Sequence, residues 1–322
     1  MQRTKKAVGI AGEALRHKVI LLIDEYDVPL AKAFANGYYD QMVFLIRNLL
    51  EQALKTNSSL KLAVLTGCMR ISKESIFTGL NNFTTFTIAD VDFDEYFGFT
   101  DQEVRDLLTY YECADKYESI KEWYDGYRFE KASSIYSPRS VVAAMTSGIC
   151  DSYWNQTETF EALRGYIDMN FDGLKDDVLS MMAGEMVPVN TGSFSNDMTT
   201  FHSEDDVLTL LIHLGYLGYD FSHKSVFIPN NEIRGEFVNA VSVSQWGEVS
   251  KALKNSADLL NAIWRKDEEK VAVYMEQAHF ETSHLQYNNE NALSYTVSLA
   301  LYAARNFYQV YREFPSGSGL QI

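Results

Sequence analysis

The chain has 322 residues, 46% of them hydrophobic, and a formal charge of −16 from 28 basic and 44 acidic side chains. That much apolar material builds a core and excludes a disordered chain, while the acidic balance argues against a protein that coats nucleic acid and still leaves room for a local basic groove. Three cysteines and five prolines exclude a disulfide scaffold and a Pro-rich or collagen-like chain. Cys68, Cys113 and Cys150 form no C-x-x-C pair, so neither a redox motif nor a metal site is expected from them, and the odd count suits a reducing compartment. No run reaches the ~18 apolar residues of a membrane span. The best candidate, over 293–304, runs into Arg305. Arg3, Lys5 and Lys6 precede no long apolar stretch, so no signal peptide is expected and the default location is the cytoplasm.

Val19-Ile20-Leu21-Leu22-Ile23 is a continuous apolar run rich in branched residues that ends on acids, and it reads as a strand buried on both faces. Tyr38, Met42, Leu45, Ile46, Leu49 and Ala53 recur at three- and four-residue steps, which predicts one face of a helix over 38–54, broken by Asn57-Ser58-Ser59. Residues 60–66 form a second strand closed by Gly67, and the Thr- and Phe-rich stretch 83–88 a third. Strand, long helix, strand, short helix, strand is the pattern of a parallel sheet wrapped by helices. Thr100, with Glu103 three residues on, opens a helix through a capping box, and Val104, Leu107 and Leu108 are its apolar residues. Residues 1–112 thus read as one α/β unit.

Over 113–245 the chain is first aromatic and turn-rich, then mostly helical. Asp125-Gly126 inside Trp123-Tyr124-Asp125-Gly126-Tyr127-Arg128-Phe129 predicts a hairpin, and Ser137-Pro138 starts a helix over 139–145. Residues 207–217 are apolar on nearly every face and predict a buried helix, ended by Gly215 and Gly218. Tyr219-Asp220-Phe221 and Val226-Phe227-Ile228 predict a hairpin around 222–224. Helix, hairpin, helix is the outline of a winged-helix-like module. Residues 246–322 carry helices over 249–264, 267–276 and 291–311, then the Gly-rich turn Ser316-Gly317-Ser318-Gly319.

The apolar run that ends in Asp24-Glu25 has the form of a Walker B strand. A buried parallel strand delivers a carboxylate at its C-terminal edge, where ligands of open α/β sheets bind. There Asp24 would help hold Mg²⁺ near the phosphates, and Glu25 would orient or deprotonate the attacking water. An ordinary core strand that ends on acids has the same string, so the motif alone leaves both readings open. In nucleotide hydrolases of this type a polar residue at the end of the neighbouring strand senses the γ-phosphate, and that position is Thr66. Arg70, four residues on, either reaches a phosphate or caps a turn and faces solvent. Asp90-x-Asp92-x-Asp94 is not a calcium loop, because its sixth position is Glu95 rather than Gly. The six histidines show neither H-E-x-x-H nor close spacing to cysteine, and no G-x-S-x-G occurs, so zinc and a hydrolase elbow are not expected. The aromatic string 123–129 either stacks on a base or packs a hairpin, the commoner use.

Leu22-Ile23-Asp24-Glu25-Tyr26-Asp27-Val28-Pro29-Leu30, then Leu65-Thr66-Gly67-Cys68-Met69-Arg70-Ile71-Ser72-Lys73-Glu74-Ser75-Ile76-Phe77-Thr78-Gly79-Leu80-Asn81-Asn82, then Phe97-Gly98-Phe99-Thr100 and the string 123–129 resemble, in this order, the bacterial AAA-ATPase-like domain proteins, often joined to a C-terminal PD-(D/E)XK nuclease-like domain. The resemblance implies an α/β fold: a partial P-loop NTPase (AAA-like) parallel sheet over 1–112, a winged-helix-like helical lid within 113–245, and the start of a nuclease-like module over 246–322. It implies ATP and Mg²⁺ as cofactors, with Asp24 at the metal, Glu25 as water activator, and Thr66 and Arg70 at the nucleotide. A nucleic acid or a protein is the further partner to expect, and a membrane is not. Two features depart from the family. No G-x-x-x-x-G-K-[ST] occurs, since Gly9 and Gly12 are not followed by Gly-Lys-Ser/Thr, and without that cradle phosphate affinity falls. Leu320-Gln321-Ile322 carries no Asp, and no E-x-K follows. The expectation is a nucleotide hydrolase type impaired in this chain. The alternatives are a non-catalytic binding or regulatory module and a nuclease-associated protein.

Overall fold

The structure is a computed structural model. It describes residues 17–67 except 56, residue 76, 83–86, 93–154 except 130, 160–192 except 170 and 172, 194, 201–282 except 244 and 245, 297–308, 314–316 and 319–321. In chain order the elements are β1 (Val19–Ile23), α1 (Val28–Ala35), α2 (Tyr39–Leu54), β2 (Leu60–Leu65), β3 (Phe99–Thr100), α3 (Asp101–Tyr110), α4 (Tyr117–Tyr124), β4 (Ile135–Tyr136), α5 (Pro138–Ser147), α6 (Phe160–Asp168), α7 (Leu174–Met182), β5 (Val187–Pro188), α8 (Glu204–His213), β6 (Gly218–Asp220), β7 (Ser225–Phe227), α9 (Asn231–Val243), α10 (Gly247–Trp264), α11 (Glu268–Thr282), a 3₁₀ turn (Tyr302–Asn306), β8 (Phe314–Ser316) and β9 (Gly319–Gln321). The fold is mixed α/β with small sheets. The chain divides into two units: Met1–Phe93 with Asn190–Gly215, and Asp94–Val189 with Tyr216–Ile322.

In the first unit β1 and β2 pair in parallel, with Ile20 opposite Leu62 and Ile23 opposite Leu65. Parallel strands need a long crossover, and α1 and α2 supply it. Pro29 stands in the first turn of α1, where a missing N–H costs nothing. Asn57 stops α2 by hydrogen bonding: its Nδ2–H donates to the Ala53 carbonyl, and its Oδ1 accepts the Ser59 N–H. Of the face that periodicity predicts on α2, Ala53 is buried and Met42, Ile46 and Leu49 are half-buried, but the stripe is centred differently. Val43, Leu50 and Ala53 are buried, whereas Leu45 is exposed. Residues 43–46 and 49–50 are all apolar, with only Arg47 and Asn48 between the two runs, so spacing alone does not choose the stripe.

Burial of β1 on both faces does not hold. Ile20, Leu22, Leu62 and Val64 share one face and are 52%, 72%, 52% and 43% exposed, while Val19, Leu21 and Ile23 are half-buried. A continuous apolar run permits two covered faces but does not itself supply the second layer. The third strand expected over 83–88 is also absent where it is described: 83–86 are not in a strand, and 87 and 88 lie outside the described residues. The buried helix predicted over 207–217 is α8, shorter by four residues at its end because Gly215 turns the chain at φ +79°. Glu204, Asp205 and Asp206 fill its first turn, the end where negative charge is favoured, and Asp206 accepts the His202 N–H at 2.8 Å.

In the second unit the capping box forms as read. Thr100 N–H donates to Glu103 Oε2 at 2.8 Å, and Glu103 N–H returns to Thr100 Oγ1. Val104 and Leu108 then pack with Ile120, Tyr124, Tyr136, Val141 and Ala144. At the head of α3, Asp101 accepts the hydroxyls of Tyr117 and Tyr136, each at 2.7 Å, and Arg105 Nε–H at 2.8 Å. The Arg105 guanidinium lies 3.7 Å over the Tyr117 ring. Burial pushes the Asp101 carboxyl up, but these three donors together hold it down at about 2, against an ordinary 3.8. A lowered folded pKa stabilises above the unfolded value and stops stabilising as pH falls through the folded one. Urea midpoints of the wild type should therefore drop between about pH 4 and about pH 2 more steeply than those of Asp101→Asn. Parallel pH profiles would refute this reading of the cluster.

The hairpin expected on Asp125-Gly126 is not formed. α4 runs through Tyr124, Gly126 adopts φ +112°, and the reversal comes later, where Tyr127 bridges Ile135 and Phe129 N–H donates to the Ala132 carbonyl. A turn dipeptide after a helix serves as its terminator instead. Pro138 begins α5 as expected. The hairpin β6–β7 forms with Tyr219 opposite Val226, and β5 joins the free edge of β7. The helix 291–311 is interrupted: among 297–308 there is one helical turn over 297–300, then the 3₁₀ turn. On α9, Glu232 and Glu236 are each 1% exposed. Glu232 accepts the N–H groups of Tyr153 and Trp154, and Glu236 accepts the Ser152 hydroxyl. No helix among the described residues is long and apolar enough to cross a membrane.

Candidate functional site

The β1–β2 ladder runs past its last paired strand residues. Thr66 N–H donates to the Ile23 carbonyl at 2.9 Å, and Tyr26 N–H to the Thr66 carbonyl at 3.0 Å. These two bonds place Asp24 beside Thr66 at the carboxyl ends of adjacent parallel strands. The Thr66 hydroxyl donates to Asp24 Oδ1, and Glu25 N–H donates to the same oxygen at 3.0 Å. Both bonds land on Oδ1, and no bond among the described residues uses Oδ2. Asp24 and Glu25 are exposed. Glu25 stands at φ +52°, a conformation that side chains other than glycine seldom take and that recurs at functional turns.

Behind these two acids lies a third that strand-end reasoning did not single out. Asp27 is 4% exposed, and its carbonyl accepts the Leu30 and Ala31 N–H groups as α1 begins. A Cβ on Gly67 would stand 2.5 Å from Asp27 Oδ1 and 2.9 Å from its Cγ, so any larger residue there would force the buried Asp27 side chain to shift. The signal available for both was spacing: an acid three residues after Asp24, and a glycine directly after the second strand. Arg70 lies outside the described residues, so the structure brings together Asp24, Glu25 and Thr66 and says nothing of Arg70.

Among the described residues no group of three or more His, Cys, Asp and Glu side chains could hold a metal by itself. Asp24 and Thr66 offer a carboxylate and a hydroxyl, hard oxygen donors in an exposed position. That set fits Mg²⁺, which keeps several waters and takes one or two carboxylates together with substrate phosphates.

A parallel pair that carries acids and a hydroxyl to its carboxyl rim is the arrangement at which open α/β sheets bind ligands. A family model described as "Predicted AAA-ATPase" matches residues 2–77, the stretch that holds β1, α1, α2, β2 and all four candidate residues. One curated protein, "Uncharacterized protein in vnfD 5'region" of Azotobacter chroococcum mcd 1, is 25% identical over 151 residues. That match covers 44% of this chain and 27% of the relative, so the chain aligns with about a quarter of that protein's length. No solved structure matches.

Proposed function

We propose that the rim of the β1–β2 pair is a Mg-ATP site of nucleotide-hydrolase type. Asp24 takes the metal-side role through Oδ2 while its Oδ1 is fixed by Thr66 and Glu25. Glu25 faces the attacking water, Thr66 reads the terminal phosphate, and Arg70 contacts the nucleotide. Mg²⁺, when bound, would neutralise phosphate charge beside these oxygens. The observation that carries the reading is the Thr66-to-Asp24 hydrogen bond: it joins the metal-side acid to the sensor across neighbouring parallel strands. The match of residues 2–77 to a predicted AAA-ATPase family supports it. The helices and hairpins after residue 93 would act as lid and as the beginning of a nuclease-like module, with a nucleic acid or a protein as the further partner, in the cytoplasm.

Calorimetric titration of the full chain with ATP tests the site. Heat is expected with Mg²⁺ present, and it should vanish in EDTA and in Asp24→Asn. No heat up to millimolar Mg-ATP would remove nucleotide binding from the account of this chain.

A further inference from the structure

Residues 24–27 make the turn that leaves β1, and the last of them stands at the N-cap of α1. An aspartate there ordinarily accepts an N–H of the first helical turn through its side chain. Asp27 makes no such capping bond. None is needed. Val28 N–H donates to the Glu25 carbonyl at 3.2 Å, Pro29 has no N–H, and Leu30 N–H donates to the Asp27 carbonyl at 2.9 Å. The carboxyl group is turned inward instead, leaving Asp27 4% exposed. Burying such a group is costly, so the place it occupies matters.

That place is beside the residue that leaves β2. A Cβ on Gly67 would come within 2.5 Å of Asp27 Oδ1 and 3.0 Å of Tyr26 Cε1. The Asp27 carboxyl group and the edge of the Tyr26 ring therefore fill the space where a side chain at 67 would stand. One residue earlier, Thr66 is tied to the same turn three times. Its N–H donates to the Ile23 carbonyl, its carbonyl accepts the Tyr26 N–H, and its hydroxyl donates to Asp24 Oδ1. The turn out of β1 and the chain out of β2 thus form one joint, bonded at Thr66 and packed at Gly67. Glu25 sits inside this joint at φ +52°. Backbone strain of that kind persists only where the surroundings over-determine it.

We propose that Asp27 is a positioning residue of the β1–β2 rim. Packed against Gly67, its carboxyl group holds the turn 24–27 to the end of β2 and so keeps Glu25 and Thr66 in place around Asp24. The consequence for ligand binding rests on the Mg-ATP reading given above; the joint itself does not.

Amide hydrogen exchange of the full chain without nucleotide reads the joint at the Tyr26 and Thr66 N–H groups, with Leu50, buried within α2, as control. Gly67→Ala displaces the Asp27 side chain. It should speed exchange at Tyr26 and Thr66 by ~10-fold or more, while Leu50 keeps its wild-type rate. In an Asp27→Ala background the same substitution meets an emptied space and should change exchange by less than about twofold. If Gly67→Ala does not fold, Asp27→Ala is read by itself and should loosen the same two amides, since it removes the packing. The proposal is overturned if Tyr26 and Thr66 exchange as in the wild type, or if Leu50 speeds up in step with them. It is equally overturned if Gly67→Ala has the same effect in both backgrounds. Titration with Mg-ATP is the second arm: each single variant should bind ~10-fold or more weakly than the wild type, and the double variant no more weakly than either. Equal Kd values for a binding wild type and both single variants overturn the positioning role. A wild type that gives no heat removes the Mg-ATP reading, and the exchange arm then decides the role of Asp27 by itself.

Discussion

Gly126→Ala is expected to destabilise the protein by about 3–5 kcal/mol, read as a lowered urea midpoint at unchanged slope. Two costs combine. Gly126 stands at φ +112°, a conformation essentially closed to an L side chain. An added Cβ would also lie 2.0 Å from the Pro229 carbonyl oxygen and 2.8 Å from its carbon, and both are backbone atoms that no rotamer change can move. The joint around them is fixed by Asn230, which is 5% exposed: its Nδ2–H donates to the Asp125 carbonyl at 2.9 Å, and its Oδ1 accepts the Ile233 N–H at 3.0 Å. The end of α4 is thus clamped to the start of α9, and neither can step aside alone. Gly165 provides the contrast. It lies within α6 with nothing near its absent Cβ, so Gly165→Ala should raise stability by about 0.5–1 kcal/mol. Equal midpoints for Gly126→Ala and wild type would sink the argument.

On the proposed nucleotide-hydrolase reading, Glu25→Gln is expected to slow phosphate release from ATP by roughly 10²–10⁴-fold while leaving the calorimetric heat of Mg-ATP binding in place. Gln is isosteric with Glu and carries the same Cβ, so it meets the same strain at φ +52° and changes only the capacity to take a proton. Asp24→Asn should fail differently, losing the binding heat itself, because Asp24 is the oxygen donor fixed by Thr66. A colorimetric phosphate assay beside the titration separates the two. Unchanged release from Glu25→Gln would remove the water-activating role from that residue.

What could be read from sequence was what short-range chemistry decides. The Thr100–Glu103 box, the Pro138 start and the β6–β7 hairpin each need a few neighbouring residues and no tertiary partner. The Asp24–Thr66 juxtaposition was legible for a related reason: two strands joined by a helical crossover run parallel, so their carboxyl ends share one edge. What escaped depends on contacts distant in sequence. Asp125-Gly126 resembled a turn, but its conformation is dictated by Pro229 and Asn230, about a hundred residues away. Glu232 and Glu236 would pass as solvated acids on any helix, yet both are buried and bound to the segment 152–154. Asp27 and Gly67 escaped in the same way. Their requirement for each other is a matter of packing distance, which no local string records.

The first unit is discontinuous, since Asn190–Gly215 belongs with Met1–Phe93 across the intervening Asp94–Val189. During synthesis the two pieces leave the ribosome well apart. At roughly 5–20 residues per second, the intervening hundred residues or so take about 5–20 s to emerge. For that interval the first unit is incomplete, and the nascent chain already carries the aliphatic strip of Ile20, Leu22, Leu62 and Val64, which stays exposed in the finished fold as well. Translation speed and chaperone supply over that window therefore bear on the yield of native protein.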